Sequence, residues 1–254
     1  MIKVGILPAP GTPLIKALKI VKRNKLDVLE WHIGISNDLN KETIKEARKY
    51  NVIKQIHMPF FEVIWSYYTP HIERKIIEDH IRFIDFASDI QARQLTIHFP
   101  QISYFRLDQK YELLSKFAQN LKKIYPRAVR GGLIVSGEIL EGLSVTEALK
   151  FKMDYNFPKM KFTYDLEHLC NYYDRINPIL QDILFLDDEI SDVHITKLFT
   201  SRKKNALITQ KYGEFKKVIK LLKFLGYDGT IICEDPNLER SLKVAKKIKR
   251  LVEK

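Results

Sequence analysis

Short β-branched runs alternate with longer amphipathic segments along the whole 254-residue chain. Eight runs have the length and Val/Ile content of buried strands, and the segments between them carry apolar residues at helical spacing. The runs begin at residues 3, 27, 52, 93, 132, 161, 191 and 229. Strict alternation implies parallel strands joined by right-handed crossovers. An eightfold count at this length predicts an α/β fold of the (β/α)8 class, a closed TIM barrel, as a single domain over residues 1–254.

Local signals mark several helix ends. Asn40 and Ser144 are favourable N-caps, and Glu147 completes a capping-box pattern three residues after Ser144. Pro126 is expected to close the helix before the fifth run, and Gly226 the helix before the eighth.

Composition limits the classes of function. The sequence contains no run of about eighteen apolar residues and no signal-peptide core, so we expect no membrane span. Cys170 and Cys233 have neither disulfide-framework nor zinc-ligand spacing, which favours a reducing, cytoplasmic location. The net charge of +12 attracts polyanions such as nucleic acid, or it reflects lysine-rich surface helices like those of thermophiles. No phosphate-binding, dinucleotide-binding or serine-hydrolase motif is present in the sequence.

Acidic and imidazole side chains stand near the ends of six of the runs. They are His57, His98, Glu138, Asp165 with His168, His194 and Glu234. The active sites of (β/α)8 barrels lie at the carboxyl ends of the strands, so these side chains are expected to converge on one pocket. Glu141 is the rival of Glu138, but it lies beyond the predicted strand.

Four of these residues predict a metal site. Glu138, Asp165, His194 and Glu234 would bring three carboxylates and one imidazole together. Three carboxylates without a cation repel each other and take up protons. Mixed oxygen and nitrogen ligands suit a divalent metal such as Zn, Mn, Co or Fe. Each residue alone is better interpreted as a polar strand cap or a solvated loop residue, so the prediction rests on the four together.

His57 and His98 stand in matching contexts, IHMP and IHFP, on neighbouring predicted strands. The pair predicts a second metal site that Glu138 bridges to the first. The alternative is a pair of core histidines bonded to backbone carbonyls.

Other candidates have weaker signals. His168 lies three residues after Asp165, where it would bind a third metal or a substrate phosphate. Glu30, near the end of the second run, closes the pocket, binds a substrate hydroxyl or is a solvated residue at the core edge. We interpret three histidines as loop or helix-surface residues without a role: His32, His71 and His80.

At these residues the chain resembles the xylose isomerase-like barrels, and within them the endonuclease IV group of AP endonucleases, over residues 56–237. IHMPF is similar to the HAPY-type segment of that group, IHFPQ to its HPG-type segment, DLEH to its DxxH motif and EDPN to its ETPN ending. HITKLFTSRKKNALI resembles its HxNDS…GSRKDRH segment, which places Arg202 and Lys203 at substrate-binding positions.

The resemblance implies a two-metal site. One ion would be held by His57, His98 and Glu138, and the other by Glu138, Asp165, His194 and Glu234. The group's third zinc also uses a D-x-H motif, where this chain has Lys204 and Ala206. The Asp of the HxND motif is likewise replaced by Lys197 or its neighbour Thr196. The third site is therefore predicted to be lost, with only His168 remaining.

Three functions remain open, and the first is narrowly preferred. The first is a metal-dependent phosphodiesterase, most readily a zinc enzyme, that cleaves duplex DNA at abasic sites with a metal-activated water. The second is a metal-dependent sugar or sugar-phosphate isomerase or epimerase with Glu138 and Glu234 as base and acid. Glu30 fits this second function, because sugar isomerases of the superfamily often carry a glutamate there. The third is a catalytically degenerate relative that binds nucleic acid or a partner.

Overall fold

The structure, a computed structural model, describes residues 1–34, 39–59, 70–100, 107–140, 142–166, 176–196 and 212–254. The strands are β1 (Lys3–Leu7), β2 (Val28–His32), β3 (Ile53–His57), β4 (Gln94–His98), β5 (Ile134–Glu138), β6 (Lys161–Asp165), β7 (Ile190–Thr196) and β8 (Thr230–Glu234). The α-helices of these ranges are α1 (Leu14–Arg23), α2 (Lys41–Ala47), α3 (Pro70–Asp89), α4 (Leu107–Arg130), α5 (Val145–Asp154), α6 (Ile176–Leu186), α7 (Tyr212–Phe224) and α8 (Leu238–Val252).

The strands form a closed parallel barrel in the order β1 to β8. β8 pairs with β1 over five residues, from Lys3 opposite Thr230 to Leu7 opposite Glu234. Closure leaves no strand edge open, and it places all eight carboxyl ends on one face. The predicted (β/α)8 barrel is confirmed.

The main hydrophobic core lies between the barrel and its helices. Because strand side chains alternate between the two faces, every second residue of each strand points outward. On β2 these outward residues are Leu29 and Trp31, which are 1% and 2% exposed. They belong to one large cluster that also contains the buried faces of the helices. Burial of this apolar surface is the main force that holds the helices on the barrel.

The inward side chains are largely polar. Seven of them are no more than 1% exposed: Gln55, Gln94, Thr96, Ser136, Thr163, Asp192 and Thr230. They hydrogen-bond to one another; Thr230 Oγ1 donates to Asp192 Oδ1 at 2.7 Å. Bulky branched residues fill most barrels of this class. This interior therefore supplies polar partners to side chains at the strand ends.

Most of the predicted helix boundaries are confirmed. The Asn40 side chain accepts a hydrogen bond from the Thr43 N–H at 2.8 Å, and Ser144 and Glu147 form a capping box. Gly226 follows α7 with a φ of +70°.

The prediction that Pro126 ends a helix is wrong, because α4 continues to Arg130. Proline removes one helical hydrogen bond. On either side of it, however, Tyr125 and Ala128 are buried in the core. This packing stabilises the last turn, since tertiary burial outweighs local preference.

The described residues contain no candidate membrane span and one cysteine. No helix in the described ranges combines the length and the apolar character needed to cross a membrane. Cys233 is a buried free thiol, whereas Cys170 lies outside the described residues.

Gly5 on β1 is paired with Val28 on β2, and the backbone there leaves no room for a side chain. A Cβ added at Gly5 would lie 2.3 Å from Val28 O and 2.6 Å from Val28 Cβ. Because the obstacle includes the backbone of the paired strand, it cannot rotate away. Gly5→Ala is expected to lower the free energy of unfolding in urea by about 1–3 kcal/mol. The exposed Lys16→Ala should change it by less than about 0.5 kcal/mol. Equal stability of the two variants would show that the strand spacing relaxes freely.

Candidate metal centre

Six predicted site residues lie at the carboxyl end of the barrel. Their exposed fractions are 1% for His57, 3% for His98, 2% for Glu138, 1% for Asp165 and 0% for His194, and the Glu234 side chain is 30% exposed. Strand register brings them to similar heights: His98 pairs with Glu138, and Asp165 with His194. Five of the six end their strands, and His194 lies two residues before the end of β7.

Several predicted residues lie outside the described part of the chain. They are Glu141, His168, Lys197, Arg202, Lys203, Lys204 and Ala206. The binding roles of His168, Arg202 and Lys203 and the loss of the third metal site therefore remain predictions.

One group of ligand atoms is rich in carboxylates. Glu138, Asp165 and His194 each offer a ligand atom, and these atoms lie within 4.8 Å of one another. His194 Nδ1 is 3.7 Å from Glu138 Oε1 and 3.6 Å from Glu234 Oε2. Carboxylates from β5 and β8 thus approach one imidazole nitrogen of His194 on β7, and Asp165 on β6 lies nearby.

A second group is rich in imidazole. His57 Nε2 and His98 Nε2 lie 3.1 Å apart, and Glu138 Oε2 is 3.3 Å from the former and 3.0 Å from the latter. His57 Nδ1 lies 3.1 Å from Met58 O, so an Nδ1–H can donate there and leave Nε2 to face the group. Glu138 belongs to both groups, one through each carboxylate oxygen.

Two buried polar atoms of the candidate centre lack hydrogen bonds within the described part of the chain. Glu138 Oε2 and His194 Nδ1 have no hydrogen-bond partner among the described residues. Glu138 Oε2 lies 3.3 Å from His57 Nε2 and 3.0 Å from His98 Nε2. An unsatisfied buried polar atom costs about 1–3 kcal/mol. Lone pairs that converge on a common point are the arrangement that a cation satisfies.

The surroundings shift the pKa values of Glu234 and Glu138 in opposite directions. Burial raises the pKa of Glu234 to about 7; His194 opposes this and the negative charge of Glu138 adds to it. Burial also favours the neutral form of Glu138, but the charges of His98 and His194 hold its pKa well below the usual range. Carboxylates whose environments separate their pKa values in this way are typical of acid and base pairs.

Glu30 lies one layer beneath these groups. It is 0% exposed, and its Oε2 is 2.9 Å from His194 Nε2. Its interpretation as a solvated residue at the core edge is therefore wrong. The barrel side chains around Glu30 separate it from solvent, and it contacts the ring edge of His194 that faces away from the pocket.

Asp192 is a site residue that the sequence interpretation missed. Its Oδ2 lies 3.4 Å from His194 Nε2. Asp192 precedes His194 by two residues, so strand alternation places both on the inner face. This two-residue spacing in the sequence indicates that Asp192 lies on the same face as His194.

His32 was also misinterpreted. It is the last residue of β2 and only 7% exposed; its ring centroid lies 4.7 Å from that of His57. Burial and the positive charge of His57 lower the pKa of His32 to about 3, which keeps its imidazole neutral. His80 is buried as well, with Nδ1 2.8 Å from Ile76 O, whereas His71 is exposed as expected.

The fold and these groups define a (β/α)8 barrel whose strand ends carry residues that could hold a metal ion. The sequence matches the xylose isomerase-like TIM barrel family over residues 18–253. The chain therefore belongs to this family, which confirms the resemblance. No curated protein matches the sequence at a significant level.

Solved structures with similar folds include several epimerases. A D-tagatose 3-epimerase-like protein has a TM-score of 0.79 and 19% identity, with 99% of this chain and 97% of that one covered. The 3-keto-D-glucoside 4-epimerase from E. coli has a TM-score of 0.76 and 12% identity, with 98% and 99% covered. L-ribulose 3-epimerase has a TM-score of 0.76 and 15% identity, with 100% and 95% covered. Identities this low show a shared fold and no more.

Proposed function

We propose that the protein is a metal-dependent isomerase or epimerase of a sugar or sugar phosphate. The observation that carries the proposal is the approach of Glu138 and Glu234 to the same nitrogen, His194 Nδ1, at 3.7 and 3.6 Å. The two carboxylates come from β5 and β8, on different sides of the barrel mouth. The epimerase names of the structural neighbours support this function over cleavage of abasic DNA.

The residues at the strand ends fit a divalent cation. Glu138, Asp165, His194 and Glu234 would hold it, and the partnerless Glu138 Oε2 and His194 Nδ1 are the atoms that most need one. Zinc, manganese and cobalt all accept such mixed donors. When bound, the ion would polarise the carbonyl and hydroxyl oxygens of the substrate.

Glu138 and Glu234 would move the proton. Epimerisation next to a carbonyl removes a proton from one face of a carbon and returns one to the opposite face, so it needs two groups. Glu138 is 2% exposed at the floor of the site, whereas the Glu234 side chain is 30% exposed. One group therefore lies beneath a bound sugar and the other reaches it from the side of the open mouth.

Metal dependence tests this proposal. Purified protein would be dialysed against a chelator, reloaded with Mn²⁺, Co²⁺ or Zn²⁺, and incubated in D₂O with ketoses and ketose phosphates. Proton NMR should show deuterium entering at the carbon next to the carbonyl. Chelation should reduce that rate by at least roughly 100-fold, because the site loses its electrophile. A metal-loaded protein that exchanges no proton on any of these sugars would contradict the proposal.

The imidazole-rich group favours one second candidate. His57, His98 and Glu138 meet within hydrogen-bond distances, and two adjacent ions sharing a carboxylate suit hydrolysis of a phosphodiester. Arg202 and Lys203 would then contact the DNA backbone. Incision of a duplex with one abasic site, together with two metals per chain by elemental analysis, would select this function. Absence of bound metal would instead indicate a catalytically degenerate relative.

A further inference from the structure

We propose that Glu30 is a positioning residue that orients the His194 ring towards the candidate metal centre. Its buried carboxylate would hold the Nε2–H of His194 and thereby leave Nδ1 as the ligand atom. The inference rests on the proposed metal-dependent function, which it deepens.

The two edges of the His194 ring face different groups. Nε2 lies 2.9 Å from Glu30 Oε2, whereas Nδ1 faces Glu138 Oε1 at 3.7 Å and Glu234 Oε2 at 3.6 Å. A neutral imidazole has one N–H and one lone pair. A carboxylate that accepts the N–H at Nε2 therefore commits the lone pair to Nδ1, and such carboxylates also fix ring orientation at metal sites.

Asp192 is the competing partner of the same nitrogen, but it is held elsewhere. Its Oδ2 is 3.4 Å from His194 Nε2, and Gln94 Nε2 approaches that oxygen at 3.4 Å. Its other oxygen accepts the 2.7 Å hydrogen bond from Thr230. Glu30 makes the shorter contact, so we assign the orienting bond to Glu30.

Glu30 reaches His194 across the inside of the barrel. The two residues are 164 positions apart, on β2 and β7, and both are 0% exposed. A carboxylate is expensive to bury without a charged or donating partner. The contact of Glu30 Oε2 with His194 offsets part of this cost, whereas Oε1 has no hydrogen-bond partner among the described residues. The contact links β2 to a candidate ligand on β7, three strands away around the barrel.

The test compares metal affinity in four variants. Glu30→Ala removes the acceptor, Glu30→Leu removes it while filling its space, and Glu30→Gln keeps an acceptor oxygen. Ser136→Ala is the matched control: it lies in the same buried interior and bonds to Thr163 and Ser191 at 2.7 and 2.9 Å, not to a proposed ligand.

Affinities for Mn²⁺, Co²⁺ and Zn²⁺ would be measured by calorimetry and chelator competition. The visible spectrum of the Co²⁺ form would report ligand geometry, and circular dichroism and thermal unfolding would report folding. Glu30→Ala and Glu30→Leu are expected to weaken binding by about 10–100-fold and to change the Co²⁺ spectrum. Glu30→Gln should recover most of the affinity, and Ser136→Ala should stay within about threefold of the natural chain, because it leaves the ring undisturbed.

The outcomes separate the inference from the proposed function. If the natural chain binds no metal, the proposed function fails. If it binds metal and the folded Glu30→Leu binds equally well, only the positioning role is overturned. Equal weakening in Ser136→Ala would also overturn it, since the effect would then belong to the whole interior. If Glu30→Ala does not fold, Glu30→Leu and Glu30→Gln still decide whether Glu30 orients His194.

Discussion

Replacing Glu138 by glutamine is expected to lower kcat/KM by at least about 10³-fold, whichever of the two enzymatic functions holds. Glu138 contributes one oxygen to the imidazole-rich group, 3.0 Å from His98, and the other to the carboxylate-rich group, 3.7 Å from His194. General acid–base catalysis alone contributes about 10²–10⁴-fold. Loss of the charge would also weaken a candidate metal ligand, so the two effects would reinforce each other.

The test measures kcat/KM of the metal-loaded Glu138→Gln variant and its metal content by elemental analysis. Glu78→Gln, on an exposed position of α3, is the matched control and should retain activity within about twofold. A Glu138→Gln enzyme within tenfold of the natural rate would show that another group performs the chemistry. Glu141, the neighbouring glutamate, would be tested next.

Much of the site could be predicted because two regularities combine. Strand side chains alternate, and a closed parallel barrel brings every carboxyl end to one face. His57, His98, Glu138 and Asp165 are the last residues of their strands. Their meeting therefore follows from local pattern and topology alone, without knowledge of any tertiary contact.

The layer beneath the strand ends could not be predicted in the same way. The contact between Glu30 and His194 crosses the barrel, and it depends on which inward residues share a height after closure. Strand stagger determines that height, and no local pattern encodes it. His32 shows the same limit: its register partner is His57, which became visible only once β2 and β3 were paired.

Pro126 illustrates a different limit. A helix-ending rule is local, whereas the free energy of burying the next turn depends on surfaces supplied by the rest of the chain. For a similar reason, local sequence pattern does not predict whether the substrate is a sugar or abasic DNA. Both functions would use this fold and the carboxylate-rich group, so neither the fold nor that group decides between them.

Phe99 connects the candidate metal centre to the core, and Phe99→Ala is expected to lower the free energy of unfolding by about 3–5 kcal/mol. Phe99 directly follows His98, and its N–H donates to Glu138 O at 3.1 Å. Its ring is 0% exposed, with centroids 5.1 Å from Phe151 and 5.7 Å from Phe117. Truncation would leave a cavity between the barrel and the helices that this rigid aromatic layer cannot fill.

Urea denaturation in the presence of a chelator measures this effect, because bound metal would add its own contribution to stability. Phe224→Ala removes an aromatic ring that is 84% exposed, so it should change the free energy by less than about 0.5 kcal/mol. Phe99→Leu keeps more of the volume and should lose less than Phe99→Ala. If Phe99→Ala lost under about 1 kcal/mol, the ends of β4 and β5 would be held by barrel hydrogen bonds alone. The aromatic layer would then have no part in placing His98 beside Glu138.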